Sequence, residues 1–192
     1  MNFSIQVTGK QHFKYAKDVC DLIKESAKIR GTGIAEREPG YILQKMGNGN
    51  AVIALLGEEL AGFCYIETWS HEKHVVNSGL VVAPQFRKMG LAKAIKKTIF
   101  QLARGKYPNA HVFGITTSLA VMKINSGLGY QPVTFSELTQ DKAFWEGCKS
   151  CPNYDILQRN ERKMCLCTGM LAPSKMEAKE ARKMKSVVSS GQ

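Results

Sequence analysis

SGLVVAPQFRKMGLAKAIKKTIFQLAR, residues 78–104, is the stretch whose reading decides the fold. The apolar run Leu80 to Ala83 predicts a strand, and Pro84, with no N–H to give a ladder, predicts its end. Gln85–Lys88 reads as a loop. Leu91, Ile95, Ile99 and Leu102 then recur at helical spacing with Lys93, Lys96, Lys97 and Arg104 between them, which predicts a helix with one buried and one basic face. Between strand and helix stands Arg87-Lys88-Met89-Gly90-Leu91-Ala92. Gly90 permits a diphosphate to approach the backbone closely, and the first helical turn offers it unpaired N–H groups and a positive dipole end. Neither G-x-G-x-x-G nor G-x-x-x-x-G-K-[ST] occurs at this turn, which excludes the dinucleotide fingerprint and the Walker loop.

Working outward, Phe3, Ile5 and Val7 alternate with polar residues as a half-buried strand does. Ala16, Val19, Cys20, Ile23 and Ala27 share one helix face ending near Arg30, and a second short helix is predicted over about Glu38 to Met46. Gly47-Asn48-Gly49-Asn50 is a turn. Ala51–Leu56, Leu60–Trp69 and His74–Ala83 read as three strands of an antiparallel meander. His111–Thr116 is a further strand, and Ser118 caps a helix that ends at Gly127-Leu128-Gly129. Pro132–Ser136 reads as a sixth strand, Thr139–Asp155 as irregular, and Met164–Leu171 as the last strand.

The 192 residues suit one domain, here 1–172, followed by a basic tail, 173–192, that has little to bury and is expected to fray. The composition, 44% apolar and 22% charged, is that of an ordinary soluble globular chain. No apolar h-region and no membrane-length run is present, so the expected location is cytoplasmic, with no membrane partner. The net charge of +11 admits nucleic acid as a partner, but the bases are spread along the chain without interleaved aromatics. A polyanionic cofactor accounts for them more economically.

The pattern R-x-x-G-x-A after V-x-P-x-x-R, set between strand and amphipathic helix, resembles the acyl-CoA pyrophosphate loop of the GNAT superfamily of N-acyltransferases. TTSLAVMKINSGLGY, residues 116–130, resembles that family's second signature, a short helix closing on Gly-aromatic. The resemblance covers about Phe3 to Leu171. It implies an α/β (α+β) fold with a central mixed, mostly antiparallel sheet of six to seven strands flanked by helices. It also implies two strands that splay to admit the pantetheine arm of acetyl-CoA, or of succinyl-CoA. Leu80, Val81, Val82, Arg87, Lys88, Met89, Gly90, Leu91 and Ala92 are then the cofactor contacts, with a backbone N–H near Leu80 or Val81 as oxyanion donor. Many members carry a tyrosine, as acid for the departing thiolate, where this chain has Asn125, so that role does not transfer. Asn125 is expected instead to hydrogen-bond the thioester end.

An N-acyltransferase must also deprotonate an ammonium. Glu67, at the end of an apolar strand, is the first candidate base, and His71 and His74 are the others. The alternative is that all three are surface groups. Asn77 and Ser78 are placed to line the pocket. Arg30 and Arg37 flank two glycines in the connection that lines the acceptor pocket in this family, and would suit an acceptor carboxylate or simply be solvated. RGTGIAER, the Trp-Ser-His loop and the cysteine-bearing ending are similar to the short N-acetylglutamate synthases of bacterial arginine biosynthesis, which implies glutamate or a related acidic amino acid as acceptor. A peptide acceptor, and a non-catalytic CoA-binding module, are the competing readings. Association as a homodimer is left open.

Cys148-x-x-Cys151 and Cys165-x-Cys167 place four thiols within twenty residues. They read as a Cys₄ zinc site, as reduced and partly buried thiols, or as a redox pair at Cys148 and Cys151.

Overall fold

The computed structural model describes residues 2–30 and 36–189. Of the expected acceptor connection, Arg30 to Arg37, residues Gly31 to Ala35 lie outside them. Seven strands form one sheet: Ser4–Val7 (β1), Ala51–Leu56 (β2), Glu59–Trp69 (β3), His74–Val82 (β4), His111–Thr116 (β5), Gln131–Val133 (β6) and Thr168–Ala172 (β7). Their order is β1-β2-β3-β4-β5-β7-β6, and every neighbouring pair is antiparallel except β4 and β5. Helices Ala16–Arg30 (α1), Pro39–Gly47 (α2), Leu91–Lys106 (α3), Leu119–Gly127 (α4), Lys142–Glu146 (α5), Tyr154–Arg159 (α6) and Lys175–Ser189 (α7) flank it.

The apolar run AVIALL of β2 is buried from Ala51 to Leu55, as a strand covered on both faces requires. On α3, Leu91, Ile95, Ile99, Phe100 and Ala103 are buried, each large side chain contributing about 1.5–3 kcal/mol by leaving water. Lys96 departs from the predicted basic face: it shares the buried face with Phe100, one turn on, and is only 2% exposed.

Two of the C-terminal expectations change. Thr139–Asp155 is not irregular throughout, because α5 and the start of α6 lie in it. The last strand begins at Thr168, since Met164 and Leu166 face solvent instead of a sheet face, at 60% and 63% exposure. The basic tail is helical over α7, where Ser174 and Glu177 cap each other: Ser174 N–H donates to Glu177 Oε2 at 2.8 Å, and Glu177 N–H donates to Ser174 Oγ at 3.1 Å. Glu177 also lies 3.0 Å from Nε2 of His111 on β5.

Candidate active site

β4 and β5 run parallel and pair only at His74–His111, Val75–Val112 and Val76–Phe113. Beyond these positions Asn77–Val82 and Gly114–Thr116 have no register with each other. β4 also bulges against β3: Ser78 faces Tyr65 and Val81 faces Phe63, leaving Gly79 and Leu80 opposite Cys64 alone. Gly79 takes φ +63°, and a Cβ there would fall 2.4 Å from the Tyr65 ring, so both conformation and space demand glycine. A cavity of about 360 Å³ opens at this divergence, within the range of small-molecule sites.

One wall is polar. Tyr65, Glu67 and Trp69 alternate along β3 and so project to the same side, all lining the cavity. Tyr41 and Lys45 stand one turn apart on α2. The Tyr41 hydroxyl donates to Glu67 Oε1, and Lys45 Nζ lies 3.2 Å from the same oxygen. Among the described residues Glu67 Oε2 accepts no hydrogen bond. Arg37 Nε donates to the Tyr65 hydroxyl at 2.7 Å, and the guanidinium sits over the Tyr41 and Tyr65 rings, 5.2 and 5.9 Å from their centroids. Burial lifts both phenols above the ordinary tyrosine range, which keeps them donors at neutral pH.

The gap itself holds Asn77, Ser78, Gly79, Leu80, Gly114, Asn125 and Lys96. Tyr130 is fully buried, and its hydroxyl donates to Asn77 Oδ1 at 3.1 Å. Asn125 Nδ2 donates to the Met170 sulfur at 3.6 Å. The other amide atoms, Asn77 Nδ2 and Asn125 Oδ1, are buried with no partner among the described residues. His71 stands on an exposed turn and His74 pairs with β5 outside the cavity lining, so the structure gathers Glu67, Asn125, Asn77, Ser78 and Arg37 but neither histidine. The Arg30 side chain lies outside what is described.

At the end of β4, Arg87 Nε donates to the Val82 carbonyl at 3.1 Å, Lys88 takes φ +64° and Gly90 takes φ +77°. The first N–H groups to close on a helical carbonyl are those of Lys93 and Ala94, both to Gly90. The preceding amides therefore face outward, and no atom lies within 4 Å of the place a Gly90 Cβ would occupy. Leu91 and Val81 are buried, whereas Arg87, Lys88 and Met89 are exposed around this opening. The arrangement fits an anion such as a diphosphate.

Residues 139–167 close the far side. Trp145 Nε1 donates to the Thr139 carbonyl at 2.9 Å, and Thr139 and Ser70 hydroxyls meet at 2.8 Å, tying this segment to the β3–β4 turn. Phe135, Leu138, Trp145 and Leu157 form a small core with Val76 and Phe113, and Cys148, Cys165 and Cys167 pack on it. All six cysteines are free. Burial, then Cys151 and Cys165, push the Cys148 thiol up to about 11; burial, then the other three thiols, push Cys167 to about 12. Zinc is not supported. Among the described residues no group of three or more His, Cys, Asp or Glu side chains is disposed to hold a metal, and Cys165-x-Cys167 precedes the strand that would have aligned its thiols. The cysteines serve this wall as small apolar groups.

Tyr41, Tyr65, Lys45 and Lys96 escaped the sequence reading. The first three carried a legible sign, the two-residue spacing of Tyr65 and Glu67 on a strand and the four-residue spacing of Tyr41 and Lys45 on a helix.

A strand pair that diverges over a glycine bulge, beside an anion-ready helix start, defines the acyl-CoA acyltransferase type of site. The acetyltransferase (GNAT) family matches residues 18–121, and the chain belongs to that family. It is 32% identical over 111 residues to a thialysine N-epsilon-acetyltransferase of Caenorhabditis elegans, covering 55% of this chain and 68% of the relative. The fold is similar to N-acetylglutamate synthase from Neisseria gonorrhoeae complexed with coenzyme A and N-acetyl-glutamate, with TM-score 0.65 and 16% identity over 91% of this chain. This chain spans 35% of that one. It is also similar to Rv2747 from Mycobacterium tuberculosis in complex with CoA, with TM-score 0.63 and 15% identity, covering 88% of this chain and 98% of the other. No described helix is long and apolar enough to cross a membrane.

Proposed function

We propose that this chain transfers the acetyl group of acetyl-CoA to the amine of a small amino acid, an acidic one such as glutamate being the first candidate. The observation that carries this reading is the pairing, within one capped cavity, of a carboxylate with a free oxygen and a guanidinium with a free Nη2 among the described residues. Glu67 Oε2 takes a proton from the acceptor ammonium while Tyr41 and Lys45 hold Oε1. Arg37 spends Nε on Tyr65 and Nη1 on the Glu36 carbonyl, and Nη2, which has no partner among the described residues, is left for an acceptor carboxylate. The amine attacks the thioester lying in the β4–β5 gap, and backbone N–H groups of the bulge at Gly79 and Leu80 receive the oxyanion. Residues 139–167, which cover the cavity, favour a small acceptor over a peptide.

The test is acyl transfer from acetyl-CoA and succinyl-CoA to a panel of amino acids and amines, with products read by mass. The expected result is an N-acetylated amino acid whose formation falls about ten- to a hundredfold in kcat/KM in Arg37→Met, the loss of a charge-assisted hydrogen bond, mainly through KM. Equal activity on amines lacking the carboxylate would overturn the assignment of Arg37. Peptide products alone would overturn the small acceptor.

A further inference from the structure

Lys96 is a buried lysine without a carboxylate partner among the described residues. It lies on the apolar face of α3, is 2% exposed, and lines the cavity where β4 and β5 part. The groups that face it are the Cys64 thiol from β3 and the ring of Tyr130, 5.7 Å from Nζ, with Arg104 acting on Tyr130 from the same helix. Among the described residues it forms no ion pair. A charge taken out of water with only a thiol and an aromatic face beside it is costly, and an arriving anion would offset that cost. Two polar atoms beside the same gap are buried without a partner among the described residues, Asn77 Nδ2 and Asn125 Oδ1. These atoms and the Lys96 side chain share the gap that, on the coenzyme reading, receives the thioester.

Resting on the coenzyme reading above, we infer that Lys96 is the acid that faces the departing thiolate of coenzyme A, in the absence of a phenol at position 125. When the tetrahedral intermediate collapses, the C–S bond breaks and its electron pair goes to sulfur. The Lys96 ammonium gives one proton to that sulfur, forming the thiol, and the neutral amine regains a proton from the acceptor nitrogen by way of solvent in the cavity. The acceptor ammonium loses two protons in all, one to Glu67 and one that restores Lys96. An ordinary lysine, near 10.4, is a weaker acid than a thiol near 8.5 and would be a poor donor to it. Burial lowers the Lys96 ammonium from the ordinary lysine range, against an upward pull from Cys64, and so brings donor and acceptor closer together.

The test needs no acceptor. The thiol of CoA bound to the wild-type protein is titrated by its ultraviolet thiolate absorbance, with the desulfo-CoA complex as blank. The expected result is a thiol shifted at least about one unit below its ordinary value, equivalent to an approximately tenfold preference for CoA over desulfo-CoA at alkaline pH. In Lys96→Met that preference disappears while desulfo-CoA affinity is unchanged. A bound thiol that titrates in the ordinary range in the wild-type protein would overturn the inference without recourse to any variant. So would a CoA preference that survives in Lys96→Met. Failure of the wild-type protein to bind either CoA or desulfo-CoA would overturn the coenzyme reading itself.

Discussion

The Tyr130 hydroxyl donates to Asn77 Oδ1 at 3.1 Å, joining the residue that precedes β6 to the first residue of β4 past its pairing with β5. Both side chains are buried. Tyr130→Phe leaves Asn77 Oδ1 unmatched and is expected to cost about 1–3 kcal/mol of stability. Thermal denaturation reads this, with a lowered Tm. Activity should fall too, because the freed Asn77 amide can turn across the gap.

Glu67→Gln keeps the shape of the polar wall and removes the base. We expect kcat to fall by about 10²–10⁴ while KM for acetyl-CoA stays within a few-fold. Steady-state kinetics at saturating acceptor decide this. An unchanged kcat would assign Glu67 to structure alone.

Gly79→Ala tests the bulge. The φ of +63° and the 2.4 Å approach to the Tyr65 ring act together. The backbone alone costs an L-residue about 1–2 kcal/mol, and displacement of Tyr65 would disturb the hydrogen bond from Arg37. Chemical denaturation should show the loss in midpoint, and acceptor KM should rise.

Cysteine reactivity follows from burial. With thiols pushed to about 11 at Cys148 and about 12 at Cys167, little thiolate is present at pH 8. Iodoacetamide should label both about a hundredfold or more slowly than a free cysteine, the difference vanishing in denaturant. Peptide mapping at timed intervals is the measurement.

The docking of α7 should depend on acid. The Ser174 N–H, opposed by partial burial and aided by the Ser174 hydroxyl and His111, holds the Glu177 carboxyl below its ordinary value. A carboxyl lowered in the folded state contributes stability above its unfolded value, near 4.3, and loses it as pH falls through the folded one. Amide exchange in residues 174–189 should therefore be unchanged by this group from neutrality to about pH 5 and accelerate below about pH 4. Glu177→Gln should show the faster exchange at neutral pH.

The strands from β1 to β5 and the helices α1 to α4 were legible in the sequence because each pairs a clean period with a clear stop, such as Pro84 after β4 or Ser118 before α4. Ser118 Oγ accepts from Val121 N–H at 3.4 Å, as its position suggested. The region after β6 was less legible. Met164-Cys165-Leu166-Cys167 is as apolar as a strand, yet its larger side chains are exposed and the thiols turn toward a local core that only the folded chain assembles. Lys96 was misread for a different reason. Helical spacing separates a face from its flank by a single residue, and charge was taken to decide which side of that line it lay on. At the site, Glu67, Asn77, Ser78, Asn125 and Arg37 were found as separate residues; Tyr41 and Tyr65, which bind them together, required α2 and β3 to meet in space.

The three residue pairs joining β4 to β5 also divide the molecule's backbone into two half-sheets, β1 to β4 and β5 to β7, stitched at one end. On the proposed reading, a cosubstrate threaded through the open end would replace the missing rungs and touch both halves at once. Its concentration then becomes a determinant of how firmly the halves hold together: at a hundred times its Kd, a ligand bound only by the folded form adds about 2.7 kcal/mol. The supply of acyl donor would thereby set the lifetime of the protein as well as its rate.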